Sequence, residues 1–188
     1  YLYKYAKKVE DNLLYSYMQR LLSDAKSYDN IELAHKLVEE DGRIKYLEID
    51  PNNRVIDLKF ELPITFIRVY NDDGNSYIIK LKSPLILKGE IKDNLDGLGD
   101  PHVTLEGDIP HPNIPDGSKI CTGNITVNTS SLIGVVTTIK SILEILQYPN
   151  LDNTSLGNSF LRYLISKNHI SQDDIPKEVQ CYYGLTEC

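Results

Sequence analysis

The sequence predicts an α+β protein, an antiparallel β-meander flanked by helices. Three observations carry that expectation. Apolar residues recur at helical spacing near both ends of the chain, over 2–25, 132–147 and 155–167. Between them, "RIKYLEID", "RVIDLKFEL", "ITFIRVY" and "SYIIKLK" alternate apolar and polar residues, the period of a half-buried strand. Pro51-Asn52-Asn53 and Asp72-Asp73-Gly74-Asn75 punctuate those runs as hairpin turns.

The elements follow in chain order. Leu2, Tyr5, Val9, Leu13, Tyr17, Leu21 and Ala25 form one helical stripe, with Lys7, Lys8, Asp11 and Arg20 off it. A second short helix starts at an Asn30 cap, runs through Leu33, Leu37 and Val38, and stops at Gly42. These give an N-terminal helical segment, 1–42, expected to pack on a core made by 43–188, the whole being one domain. The four alternating runs from Arg43 to Lys82 are the meander. "GEIKDNLDGLGDP" (89–101) reads as a polar, Gly-rich loop, and "HVTLEGDI" (102–109) as a further strand. Residues 122–131 are small and polar, hence irregular. Leu132, Val135, Val136, Ile139, Ile142, Leu143 and Leu146 mark a helix that Ser130 or Ser131 can cap and Pro149 ends. Leu156, Phe160, Leu161, Leu164 and Ile165 line one side of another, and the chain after His169 is polar with two tyrosines.

Composition narrows the function. With 188 residues, 41% hydrophobic and 25% charged, the chain has the make-up of a soluble globular domain. A net charge of −7 argues against nucleic acid as a partner. No apolar run approaches the length of a membrane span. The first residue is Tyr1 rather than Met, so a processed or trimmed chain is expected, and a lost targeting segment stays open. The three cysteines, Cys121, Cys181 and Cys188, do not suggest a disulfide scaffold. Cys181 and Cys188 are near enough in sequence to pair, but two free thiols in a reducing, cytoplasmic setting is the expectation. His35, His102, His111 and His169 are scattered, and no Cys or His pair stands at zinc-site spacing.

The stretch "HPNIPDGSKIC", 111–121, stands out: a His-Pro-Asn triplet, an Asp-Gly turn, then a cysteine ten positions after the histidine. Pro101 lies ten positions before that histidine, and Pro149-Asn150 follows the helix after the cysteine, with Asp152 and Asn153 beyond. In these features the chain resembles the ubiquitin-conjugating enzymes. The order of elements agrees over roughly 54–167, and the residue-level match covers 101–153. Helices before the meander also agree, although one is the family norm and this chain has more. It departs from the family elsewhere. Thr129-Ser130-Ser131 stands where the family has Trp-Ser-Pro, Thr122-Gly123 replaces Leu-Asp after the cysteine, and "DGLGDP" replaces the Tyr-Pro-Phe loop that helps dock ligases.

The resemblance implies a ubiquitin-conjugating-like fold and an acyltransferase that carries a ubiquitin-like modifier as a thioester on Cys121. The modifier would come from an activating enzyme and pass to a lysine or another thiol. A ligase, if used, would dock in a non-standard way. No metal or organic cofactor is implied. Cys121 is the candidate nucleophile, against the plainer reading of a buried small hydrophobe. Asn113 is either the donor to the oxyanion formed as lysine attacks or a brace for its own turn. His111 invites a Cys–His pair but in the family braces the loop, as Pro112 and Pro101 shape it. Asp152 and Asn153 either line the lysine's approach, a carboxylate there orienting the amine, or belong to a plain polar loop. Thr122, Gly123 and Asn124 would leave room for the thioester. Two rivals remain: an inactive module of the same fold that binds ubiquitin-like proteins, and a Cys–His hydrolase with His111 as base.

Overall fold

A computed structural model of the chain describes residues 38–50, 52–94, 99–115, 119–121, 125, 127 and 132–188. The N-terminal stripe over 2–25 and the Asn30 cap lie outside these residues, as do Ser130, Ser131 and the 122–124 segment.

The architecture is α+β. Strands β1 (Ile44–Asp50), β2 (Val55–Tyr70), β3 (Ser76–Asn94) and β4 (His102–Leu105) form an antiparallel sheet in the order β1-β2-β3-β4. Helices α1 (Leu132–Gln147), α2 (Thr154–Ser166) and α3 (Lys177–Tyr182) follow, with a short 3₁₀ turn at Gln172–Asp174. The alternating residues Ile56, Leu58, Phe60, Leu62 and Ile64 of β2 are buried, as are Leu85, Leu87 and Ile91 of β3. They share one core with Val135, Val136, Ile139, Ile142, Leu143 and Leu146 of α1 and Phe160, Leu161 and Leu164 of α2. Asp41 fastens α1 to the start of β1: its carboxylate meets Arg43 at 3.0 Å and Lys140 at 3.3 Å.

The strands are longer than the alternation alone suggests, in two places. "RVIDLKFEL" and "ITFIRVY" are one strand that runs through Pro63. Glu61 donates its backbone N–H to Arg43 on the β1 side, so residue 63, two further on, faces the same side. The β1 pairing register ends at Phe60, and a proline there forfeits no ladder hydrogen bond. Likewise β3 continues to Asn94, through the first six residues of the expected 89–101 loop. Gly89 read as a loop signal, yet it is a strand glycine at a close approach. A Cβ on it would lie 2.5 Å from the Thr104 carbonyl and 2.7 Å from the Phe60 ring. The last expected strand, 102–109, is shorter and stops at Leu105.

The outer halves of β2 and β3 form a hairpin arm closed at Asn71–Asn75, with Gly74 at φ +80°. The arm leans on the C-terminal part of the chain. His169 accepts from the Lys82 backbone at 2.8 Å, and Tyr77 donates to Glu178 at 2.9 Å.

The polar tail is more structured than its composition suggests. Val179, Tyr183 and Leu185 are buried, and Gln180 donates to the carbonyls of Gln172 and Ile175. Helix α3 ends in a Schellman turn: Gly184, at φ +67°, donates to Cys181, and Leu185 donates to Gln180. That reversal returns the chain to the helix and corrects the expectation of two free thiols. Cys181 and Cys188 form a disulfide, their Cα atoms 5.6 Å apart. No helix among the described residues is long and apolar enough to cross a membrane.

Candidate functional site

The site is built from the turn that leaves β4 and from the end of α1. Residues 111–114 form a tight turn in which Ile114 donates to the His111 carbonyl at 2.9 Å. His111 is buried at 1% exposure, its ring edge-on to Phe160 of α2 with centroids 5.6 Å apart. Both ring nitrogens bond to backbone. Nδ1 accepts from the Asn113 N–H at 3.2 Å, and Nε2 then carries the proton and donates to the Leu146 carbonyl at 2.9 Å. Leu146 belongs to the last turn of α1, where carbonyls lack helical partners, so the imidazole caps that helix. Burial pushes its pKa down to about 4, against the pull of the Leu146 bond, and keeps it neutral.

Asn113 is the junction. Its backbone carbonyl accepts from the Cys121 N–H at 2.8 Å. Its side-chain oxygen accepts from the Asn150 N–H at 2.9 Å. With the oxygen so engaged, the NH₂ end of this buried amide is the end that can donate elsewhere. Cys121 itself is exposed and is a free thiol, while Ile120 and Ile114 beside it are buried. A bridge between His102 and Lys119 ties the approach to Cys121 back to β4. Pro101, directly before β4, and Pro112, within the 111–114 turn, are both buried.

The loop after α1 closes the site. Pro149 ends the helix, and Asn150 both donates its N–H to Asn113 and accepts the Asp152 N–H at 3.0 Å. Asp152 is exposed. Asn153 is the N-cap of α2: its side-chain oxygen accepts from the N–H groups of Ser155 and Leu156 at 3.0 and 3.1 Å. Thus hydrogen bonds join His111, Asn113, Cys121 and Asn150 into one cluster, with Asp152 at its margin. A pocket of about 170 Å³ opens next to it, lined by Phe66, Arg68 and Tyr70 of the arm and Tyr148, Asn150 and Asp152 of the loop. Leu146, Phe160 and Tyr183 support the site, and nothing local in the sequence marks them for that.

Among the described residues, no group of three or more His, Cys, Asp and Glu side chains could hold a metal ion. No family model, no curated protein and no solved structure matches this chain.

Proposed function

We propose that this protein is an acyl carrier and transferase of the ubiquitin-conjugating type, holding a ubiquitin-like modifier as a thioester on Cys121. The observation that carries the reading is the double use of Asn113. Its carbonyl anchors the Cys121 backbone, while its amide oxygen is engaged by Asn150, which leaves the NH₂ end without a partner among the described residues and able to serve a nearby oxygen. An exposed thiol beside an oriented neutral donor suits acyl transfer.

In the first step the Cys121 sulfur attacks the carbonyl of an incoming thioester. One carbon–sulfur bond forms as another breaks, and the donor thiol leaves with the proton. In the second, a lysine amine attacks: a carbon–nitrogen bond forms, the Cys121 carbon–sulfur bond breaks, and the amine's proton passes to the released thiolate or to solvent. Negative charge builds most on the carbonyl oxygen as the amine attacks, and there the Asn113 amide would donate to it. Asp152 would receive the lysine. Asn153, whose oxygen already caps α2, supports that loop from behind. The activating enzyme, and not this chain, would use ATP, and a cytoplasmic setting with that enzyme nearby completes the proposal.

A hydrolase with His111 as base finds less support, because both imidazole nitrogens are committed to backbone groups and burial keeps the ring from taking a proton. The experiment is direct. A peptide α-thioester ending in Gly-Gly, or a modifier with its activating enzyme and ATP, should load the chain with a thiol-labile adduct that mass spectrometry maps to Cys121. Cys121→Ser should give a thiol-stable ester or nothing. Loading that survives Cys121→Ala overturns the reading, and loading followed by hydrolysis with no transfer to amines favours the hydrolase.

A further inference from the structure

The loop that carries Asp152 is held from two directions. On one side Asn113 takes the Asn150 N–H. On the other, the carbonyl of Leu151 accepts a hydrogen bond of 2.9 Å from the hydroxyl of Tyr183, thirty-two positions away in the C-terminal turn. Tyr183 therefore joins the loop and the tail at one atom.

Tyr183 is itself firmly placed. Its ring is 2% exposed and lies against Gly157 of α2, where a Cβ would come within 2.5 Å of Cε1. Its backbone carbonyl accepts from Asn158 at 2.6 Å, and the next carbonyl, of Gly184, accepts from Arg162 at 3.0 Å. The disulfide between Cys181 and Cys188 closes the chain around it. Burial pushes the phenol up to about 12, so it remains a donor at neutral pH. Leu151 is buried and directly precedes the exposed Asp152.

We propose that Tyr183 is a positioning residue for amine attack: by holding the Leu151 carbonyl it sets where Asp152 stands relative to Cys121. The inference rests on the acyl-transfer reading. Reactive geometry is steep in distance, and a misplacement of about 1 Å costs up to roughly 100-fold in rate. The acyl-exchange step needs no amine and should not depend on Asp152.

Tyr183→Phe removes only the hydroxyl and keeps the ring on Gly157. The full chain, in buffer free of reductant, is loaded at Cys121 with a peptide α-thioester ending in Gly-Gly, and single-turnover discharge to free lysine is followed by mass spectrometry. Loading at the normal rate with discharge about tenfold slower is expected. Asp152→Asn should slow discharge too, and the double variant should be no slower than Asp152→Asn alone, because both changes act on one group. Discharge of Tyr183→Phe at the wild-type rate overturns the inference. So do equal losses in loading and discharge, or losses that multiply in the double variant, since either result marks a general structural role. If wild-type Cys121 accepts no acyl group, the acyl-transfer reading falls and this inference falls with it. Wild-type loading with an indifferent Tyr183→Phe removes the inference alone.

Discussion

Acidification should weaken the fold in part through His111, and the size of that contribution follows from its burial. An unfolded histidine protonates near 6.5, whereas burial holds the folded imidazole down to about 4. Between those values the unfolded state binds the extra proton and the folded state does not. Stability is therefore full above about 6.5 and declines as pH falls toward 4. The gap of roughly 2.5 pH units, at about 1.4 kcal/mol each, amounts to about 3.5 kcal/mol. Asp57 and Asp93 work the other way. Burial raises both to about 6, so their folded forms hold protons that the unfolded chain has lost. Total stability thus mixes opposing slopes, and the histidine must be isolated by difference. His111→Gln removes the titration and leaves both aspartates in place. The chain has no tryptophan, so urea unfolding is best followed by circular dichroism, at intervals from pH 7.5 to 4.5. At pH 7.5 the variant should be less stable, having lost the contact with Phe160 and a fitted helix cap. The deficit should shrink by about 2–3 kcal/mol as pH falls to 4.5. A deficit constant across that range would show that the imidazole is not held neutral between Asn113 and Leu146.

Two further outcomes can be tested. Asn113→Asp keeps an oxygen for the Asn150 N–H but replaces the donor NH₂ with an anion. Loading of Cys121 should persist while discharge of the preformed thioester to lysine falls ~100-fold or more, and normal discharge would leave Asn113 as a turn brace. Asp93, buried at 2% exposure with neither carboxylate oxygen hydrogen-bonded, should cost the fold stability once it ionises. Asp93→Asn should be more stable than wild type by about 2 kcal/mol at pH 7.5 in urea unfolding, with the gain disappearing below about pH 4. A pH-independent difference would refute that account.

The sequence by itself determined the α+β class, the meander, the bounds of α1 and α2 to within a residue or so, and the stretch where a cysteine follows a His-Pro-Asn turn. These are local matters. Periodicity reports which face of an element is buried, and turn residues report where the backbone must reverse. Even there, local rules misread Pro63 and Gly89. Proline and glycine are breakers only on average, and the end of β1 pairing and the Phe60 ring decide what these two do. Tertiary structure alone decided which atoms meet around Cys121. Residue type left His111 open as base or brace, and the choice came from Asn113 and from Leu146, thirty-five positions on. Asn113 likewise acquired its orientation from Asn150, and Asn153 became a helix cap beside an exposed Asp152. The tail shows the same limit most plainly. Tyr183 is one of thirteen tyrosines in the sequence, and only packing against Gly157 with its hydroxyl on Leu151 separates it from the rest. A hydrogen bond between distant residues leaves no local periodic trace, because its geometry exists only once the core between them has formed.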